Sequence, residues 1–431
     1  MPMAFPSPRP PLAETLPPVI LGTATFNAQY NPDPYALPTT ALIHEALRSG
    51  IRAFDTSPYY GPSETLLGDA LATPEIRAEF PRESYRLLTK AGRIGLESFD
   101  YSPAWIRRSV RRSLRRLRTE YLDVVYCHDV EFVSPQEVVE AVRELRRLRD
   151  RDGIVRYIGI SGYPVDVLCE LAERVVRETG EPLDAVMSYA HCTVQNARLP
   201  DPAVLQRLVN AGVGVVPNAS PLGMGLLRCQ GPPVGGHGDW HPAPDGLRAA
   251  VRRAAETLLH RGREDDGSNR LEVVAIRYAL SRWLRDGTPM GVIMDATTTT
   301  TIGGRQRQRR LGVNVLGVSN LAELRECLRV FQEVLDDHLA ATTEQEPAKE
   351  TPRAAHFRAL ADCVRAELSP EWIDYAWPSP PPGFVNTLPP EHQRDLEGEQ
   401  ETNSTTTPRE KKANGNHVVT VREISSDNAV L

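Results

Sequence analysis

Asp55, Lys90, His128 and a phenol from the pair Tyr59-Tyr60 are the residue types needed to move a proton at a carbonyl or alcohol oxygen. With a reference pKa of about 10, a phenol is a poor acid or base at neutral pH. A nearby ammonium stabilises the phenolate and lowers that value. Lys90 can supply the charge, Asp55 can hold the lysine by a salt bridge, and His128 can hydrogen-bond the substrate oxygen. Such a set suits proton transfer at oxygen while a hydride moves at carbon. Tyr59 and Tyr60 compete for the phenol role, and their position along the chain does not choose between them.

These residues lie far apart, so the elements that carry them must bring them together. Asp55 follows the apolar run Ile51 to Phe54, Lys90 closes Leu87-Leu88-Thr89, and His128 closes Val124-Val125-Tyr126-Cys127. The last of these runs begins at Leu122 (Leu122 to Tyr126), and similar runs occur at Val19-Ile20-Leu21, Val155 to Ile160, Ala185 to Met187, Val213 to Val216 and Val313 to Leu316, giving eight in all. Between them apolar residues recur at helical spacing, as in Val138, Val142, Leu145 and Leu148. Alternating strand and helix predicts parallel pairing with right-handed crossovers. Eight such units predict the α/β class and a (β/α)₈ TIM barrel, whose strand C-termini converge on one catalytic face. The runs are almost continuously apolar, as strands buried on both faces should be.

The same architecture locates an anion site. Loops after strands seven and eight are its usual phosphate site, with backbone N–H groups and a helix N-terminus facing the ligand. Here those loops are Asn218-Ala219-Ser220-Pro221-Leu222-Gly223-Met224-Gly225 and Gly317-Val318-Ser319-Asn320. Ser319-Asn320 reads also as a simple helix N-cap.

Domain boundaries follow from composition. Residues 1–16 are read as a disordered N-terminus and 17–340 as the barrel. A Gly/Pro-rich loop spans 228–246, and a low-complexity insert with a Thr run at Thr297 to Thr301 spans about 289–311 and is read as a flexible excursion. Residues 341–384 form an extension with a helix in Phe357 to Trp377, whose end, Trp377-Pro378-Ser379-Pro380, can reach over the barrel mouth. Residues 385–431 are polar and charged and are read as a disordered tail.

The 431 residues carry a formal net charge of -6, with 41% hydrophobic and 25% charged residues. That balance predicts neither nucleic acid nor a membrane surface as partner, and no run approaches the ~20 apolar residues that span a bilayer. The Arg-rich stretch Arg107 to Arg116 alternates with Ile106, Val110, Leu114 and Leu117, which predicts a solvated helix face. Six cysteines without C-x-x-C spacing read as reduced thiols in a cytoplasmic protein. The Pro-rich start lacks the apolar segment of a secretory signal. G-x-S-x-G and H-E-x-x-H are absent, and no G-x-G-x-x-G follows a strand. A dinucleotide must then sit on the barrel mouth. His237-Gly238-Asp239-Trp240-His241 lacks an obvious third ligand and is read as ordinary loop, so no metal is predicted.

Together these residues resemble the aldo-keto reductase superfamily. The matching pieces are Leu21-Gly22-Thr23, Phe54 to Gly61 with Ser63-Glu64, Thr89-Lys90, Tyr121 to His128, Tyr157 to Ser161, Ser220-Pro221-Leu222-Gly223 and Gly317-Val318-Ser319-Asn320, within about residues 17–335. The resemblance implies a (β/α)₈ barrel, an extended nicotinamide dinucleotide bound without a Rossmann domain, and direct hydride transfer. It makes Asp55, Tyr60, Lys90 and His128 the catalytic tetrad, with Tyr60 as general acid/base. It implies cofactor contacts from Gly22, Thr23, Ser161, Ser188, Ser220, Leu222, Gly223, Gly317, Ser319, Asn320 and Glu323.

Two departures stand out. Many members have Asn after the serine at position 161, and this chain has Gly162, which removes one amide contact. Many have a Tyr that stacks on the nicotinamide just before Ser-Pro-Leu, and this chain has Ala219. Ser161-Gly162-Tyr163-Pro164, Met187 to Cys192 and Asn218 to Leu227 resemble the sugar-oxidising branch. That implies oxidation of an aldose, D-arabinose or a relative such as L-galactose or L-fucose, at C1 to a lactone on a route to an ascorbate-type product. NADP-using relatives place a cation near the adenosine 2′-phosphate, whereas the candidate position here is Glu323, so NAD is expected over NADP. The competing expectations are a general NADPH-dependent aldehyde or ketone reductase and a non-catalytic nucleotide-binding barrel.

Overall fold

Eight parallel strands close into a barrel in which each side chain alternates between the packed interior and the surrounding helices. The structure is a computed structural model; it describes residues 9–232, 239–261, 269–294, 299–302, 305–308, 310–340, 350–368, 370–389 and 392. The strands are β1 (Val19–Gly22), β2 (Ala53–Asp55), β3 (Arg86–Ala91), β4 (Leu122–His128), β5 (Val155–Gly162), β6 (Ala185–Tyr189), β7 (Pro217–Ala219) and β8 (Val313–Gly317). Each pairs with its neighbours in sequence order, and β8 returns to β1 with Val19 opposite Asn314 and Gly22 opposite Gly317. The expected (β/α)₈ architecture is therefore present, with β8 whole on both edges.

Helices α1 (Thr39–Arg48), α2 (Ser63–Leu71), α3 (Pro74–Glu79), α4 (Pro103–Arg116), α5 (Pro135–Asp150), α6 (Val165–Thr179), α7 (Pro202–Asn210), α8 (Asp245–Arg261), α9 (Leu271–Asp286), α10 (Leu321–Ala340) and α11 (Pro352–Leu368) flank the strands. Their starts follow local chemistry. Ser134 and Glu137 form a reciprocal capping box at α5, with Pro135 at the first helical position. The apolar faces of these helices and the outward strand residues, among them Leu42, Ile106, Val142 and Leu168, make the main core. Inward residues Ile20, Leu88, Val124, Tyr126, Met187 and Val315 fill the barrel itself. No helix among the described residues is long and apolar enough to cross a membrane.

Four expectations are corrected. The seventh strand is not Val213–Val216 but Pro217–Ala219. Val215 makes only an isolated bridge to Ala185, and the N–H groups of Val215 and Val216 bond to Asp184 and Met290 carbonyls, so the β-branched run spends its backbone at the barrel base. The N-terminal segment is ordered from residue 9 on: Leu12–Glu14 form a 3₁₀ turn, and Leu12, Ala13 and Leu16 are buried in the interior cluster, closing the barrel bottom. The insert is not a structureless excursion over its described residues. Val292–Ile293 pairs antiparallel with Arg310–Leu311, and Thr299–Ile302 with Arg305–Gln308, as β-branched Thr favours. Residues 295–298, 303, 304 and 309 of the insert, including Thr297, Thr298, Gly303 and Gly304, lie outside the described residues, as do 341–349 and 393–431.

The fourth correction concerns the tail boundary at 385. Residues 370–388 run across the C-terminal face of the barrel and are held at both ends. Gln195 Nε2 donates to the carbonyls of Trp372 (2.7 Å) and Tyr375 (2.9 Å). Trp377 stacks on Tyr163 at 4.6 Å, and Ser379 Oγ donates to Glu131 Oε1 at 2.8 Å. Asn386 then copies a strand partner, accepting from the Phe99 N–H and donating to the Phe99 carbonyl, each at 2.8 Å. The expected reach of Trp377 over the mouth is thus part of a longer strap.

Candidate active site

The strand ends deliver the tetrad side chains to one place. Asp55 is the last residue of β2, Lys90 the fifth of the six in β3, and His128 the last of β4. Asp55 stands opposite Leu88, and Lys90 opposite Tyr126, so neighbouring strands carry them at nearly the same height. All three are almost fully buried, with 4%, 3% and 5% of their surface exposed. Lys90 Nζ donates to Asp55 Oδ1 at 2.6 Å and to the Thr56 carbonyl at 2.9 Å.

The two tyrosines separate here. Lys90 Nζ lies 4.8 Å from the centre of the Tyr60 ring, and its charge bears on the phenol. Tyr59 instead belongs to Arg93, which packs 3.8 Å over its ring and donates to its hydroxyl at 3.1 Å. His128 stands edge-on to Tyr60, ring centres 5.8 Å apart. Its Nδ1 is 3.0 Å from Ser57 Oγ. Ser57 Oγ also accepts the Tyr59 N–H at 3.1 Å, so it can give its own proton to Nδ1 and leave the ring proton on Nε2.

Burial acts on each ionisable group, and the partners decide the balance. It works against the Lys90 ammonium, but Asp55 and Tyr60 outweigh it and lift Lys90 to about 12. Burial likewise pushes the Asp55 carboxyl up against the pull of Lys90; the 2.6 Å contact to a permanently cationic lysine keeps it ionised. His128 falls to about 3 through burial, with Lys90 and Arg93 adding to the fall and Asp129 opposing it, so the imidazole is neutral. Tyr60 departs from the sequence expectation. Lys90 does pull its pKa down, but burial dominates, Asp55 and Asp129 add to it, and the phenol ends above its ordinary value.

Residues that sequence reasoning passed over complete the rim. Asp129 follows β4 in a left-handed backbone conformation (φ 56°) and forms an ion pair with Arg93. Its Oδ2 is 3.6 Å from His128 Nε2. Glu131 sits two residues on, and its Oε1 accepts the Tyr163 N–H at 3.1 Å. A Cβ at Gly162 would lie 2.5 Å from Glu131 Oε2. The space an asparagine would need is therefore filled by that carboxyl, which burial and Asp129 raise to about 8. The only sequence hint of these groups was their position, just past strands already singled out.

The predicted cofactor residues line the same face. Gly22 ends β1, and the following Thr23 is buried, its N–H and hydroxyl both donating to the Asp55 carbonyl (2.8 and 3.0 Å). Ser161 Oγ makes a long 3.4 Å bond to the Cys127 carbonyl. Ser188, opposite Gly162 on the next strand, has a buried hydroxyl with no partner. Asn218 Oδ1 and Asn314 Nδ2 are likewise buried without partners, although the two side chains share one 3.1 Å bond. Such orphaned groups are costly unless a ligand satisfies them, and the Ser188 hydroxyl fits the polar amide of a nicotinamide.

The loop after β7 turns tightly. Ser220, Gly223, Met224 and Gly225 all have positive φ, although the N–H groups of Gly223 and Gly225 are spent on internal turns to Ser220 and Leu222. Over this loop, Trp240 Nε1 donates to the Gln29 carbonyl at 2.7 Å and His241 Nε2 approaches the Gly223 carbonyl at 2.9 Å. His237 and Gly238 of the candidate metal motif lie outside the described residues. After β8, Gly317 leads to Ser319, whose N–H donates to Glu323 Oε2 at 2.7 Å, while Asn320 Oδ1 accepts the Glu323 N–H at 2.9 Å. The N-cap reading therefore describes these bonds, and the start of α10 already holds a carboxylate of its own.

Residues 18–345 match the model of the Aldo/keto reductase family. The chain is similar to D-arabinose 1-dehydrogenase of Saccharomyces cerevisiae, 43% identical over 273 residues covering 63% of this chain and 77% of that protein. It is similar also to L-galactose dehydrogenase of Arabidopsis thaliana, 39% identical over 244 residues covering 56% and 69%. Among solved structures it is similar to an aldo-keto reductase chain of Pseudomonas aeruginosa, 21% identical, covering 74% of this chain and 91% of that one with a TM-score of 0.45.

Proposed function

We propose that this chain, which belongs to the aldo/keto reductase family and is an oxidoreductase, oxidises the C1 hydroxyl of an aldose such as D-arabinose to the lactone with NAD. The observation that carries the reading is the buried Asp55–Lys90 ion pair beneath the Tyr60 hydroxyl, with neutral His128 facing the same space. The relatives named for sugar oxidation support the substrate class.

Tyr60 is the acid/base, taking the proton of the C1 hydroxyl in oxidation. Lys90 stabilises the phenolate form needed for that step, and Asp55 holds Lys90 in place and charged. His128 donates from Nε2 to the C1 oxygen and orients it. A bound nicotinamide would supply the acceptor for the hydride of C1, two electrons with one proton, while the proton of the C1 hydroxyl passes to Tyr60. Ser161 and Ser188 hold the carboxamide, and Gly22, Thr23, Ser220, Leu222, Gly223, Gly317, Ser319 and Asn320 line the path of the dinucleotide. Glu323 favours NAD, because its carboxylate repels a 2′-phosphate and accepts from a free ribose hydroxyl. The product class is an aldonolactone, a precursor type for ascorbate-like compounds.

The reading is tested by measuring NADH formation with D-arabinose, L-galactose and L-fucose against reduction of a simple aromatic aldehyde. Aldose oxidation is expected to dominate. Turnover of the aromatic aldehyde alone overturns the substrate class.

A further inference from the structure

We infer that Asp129, held by Arg93, is a specificity-determining carboxylate that accepts a hydrogen bond from the hydroxyl on C2 of the sugar. The inference rests on the reading that an aldose is oxidised at C1. Its starting point is distance. A C1 oxygen bonded to His128 Nε2 occupies the space in front of that nitrogen, and Asp129 Oδ2 is 3.6 Å from the same nitrogen. The next oxygen along the substrate, one carbon–carbon bond away, falls beside the carboxylate.

The carboxylate is built into place rather than left at a surface. Asp129 is 2% exposed and takes a left-handed backbone conformation that few residues other than Gly, Asn and Asp adopt. Arg93 clamps it while donating also to the Gly95 carbonyl (3.2 Å) and the Tyr59 hydroxyl (3.1 Å). The Arg93 and His128 contacts both fall on Oδ2. The ion pair therefore holds the same carboxylate oxygen that lies nearest His128 Nε2.

Chemistry sets what such a group selects. A carboxylate only accepts, so its partner must be a donor, and a C2 hydroxyl is one. A simple aldehyde, a ketone or a 2-deoxy sugar presents carbon there and offers the carboxylate no donor beyond Arg93. A site built to bond a hydroxyl discriminates strongly against the analogue lacking it.

The experiment compares kcat/KM for D-arabinose and for 2-deoxy-D-ribose, which is D-arabinose without its C2 hydroxyl. The wild type is expected to prefer D-arabinose by about 10- to 100-fold, the range of one hydrogen bond to a charged group. In Asp129→Gly, which keeps the backbone conformation and removes the acceptor, the ratio is expected to fall to within about three-fold of unity, so the variant also calibrates the intrinsic reactivity of the two sugars. Asp129→Asn keeps an uncharged acceptor and is expected to give an intermediate ratio. Equal efficiency with both sugars in the wild type overturns the inference without any variant, and so does a preference that survives in Asp129→Gly. A role confined to orienting His128 would lower both sugars equally and leave the ratio intact. If the wild type turns over simple aldehydes and no aldose, the aldose reading itself fails, which is a separate outcome.

Discussion

Replacing Lys90 by Met removes the ammonium beside the Tyr60 ring while keeping the length of the side chain. The ammonium stands 4.8 Å from the centre of the phenol ring. At an effective dielectric of ~20, a unit charge at that distance stabilises the phenolate by about 3.5 kcal/mol. That corresponds to ~2.5 pKa units, or roughly 300-fold less phenolate at a fixed pH below the break. Because burial already holds Tyr60 above its ordinary value, the shift moves the phenol further from neutrality. The expected result is a kcat for sugar oxidation roughly 300-fold lower at pH 8, with the alkaline break of the pH profile displaced upward by ~2.5 units. The same change leaves Asp55 buried without its cation, which costs about 3–5 kcal/mol of stability. Thermal denaturation separates the two effects: Lys90→Met with Asp55→Asn is expected to recover most of the melting temperature and none of the rate. A Lys90→Met enzyme within ten-fold of wild type, or one whose break stays in place, refutes the coupling of this lysine to the phenol.

Three further outcomes follow from the same geometry. Tyr60→Phe should abolish turnover while nicotinamide dinucleotide affinity, read by fluorescence quenching, stays within a few-fold; retained turnover would mean that another group moves the proton. Wild-type kcat/KM should favour NAD over NADP by at least about ten-fold, and Glu323→Arg should erode that ratio by replacing carboxylate–phosphate repulsion with attraction; equal use of both cofactors by the wild type contradicts the role given to Glu323. The rate of oxidation should rise with pH about ten-fold per unit through the neutral range, since Tyr60 titrates above its ordinary value and only its deprotonated form accepts the proton. With His128 near 3 and Lys90 near 12, neither adds a break close to pH 6.5. A break there that vanishes in His128→Gln would show that the imidazole is charged in the working enzyme.

The barrel and the heights of Asp55, Lys90 and His128 were legible because they rest on local order. Apolar runs of strand length separated by helical spacing identify the units, and a polar residue closing such a run must emerge at the mouth. The seventh strand was misplaced for the converse reason. Val213–Val216 has the stronger β character, yet the ladder forms at Pro217–Ala219, where the neighbours β6 and β8 offer their edges. The insert and the N-terminal turn were misread because polar composition predicts no core, while Val292, Leu311 and Leu12 find burial under the barrel.

Chain order alone, then, determined the eight-unit architecture and the residue types that meet at its open end, because strand periodicity and strand termini are properties of neighbours in sequence. Tertiary structure decided which tyrosine Lys90 contacts, that Arg93 and Asp129 stand beside His128, and that Asn386 fastens a strap to Phe99 across 287 positions. It also reversed the net shift of the Tyr60 phenol. A pairwise attraction to Lys90 can be anticipated from two residues, but desolvation sums over everything that surrounds the hydroxyl, and that sum exists only once the chain has folded.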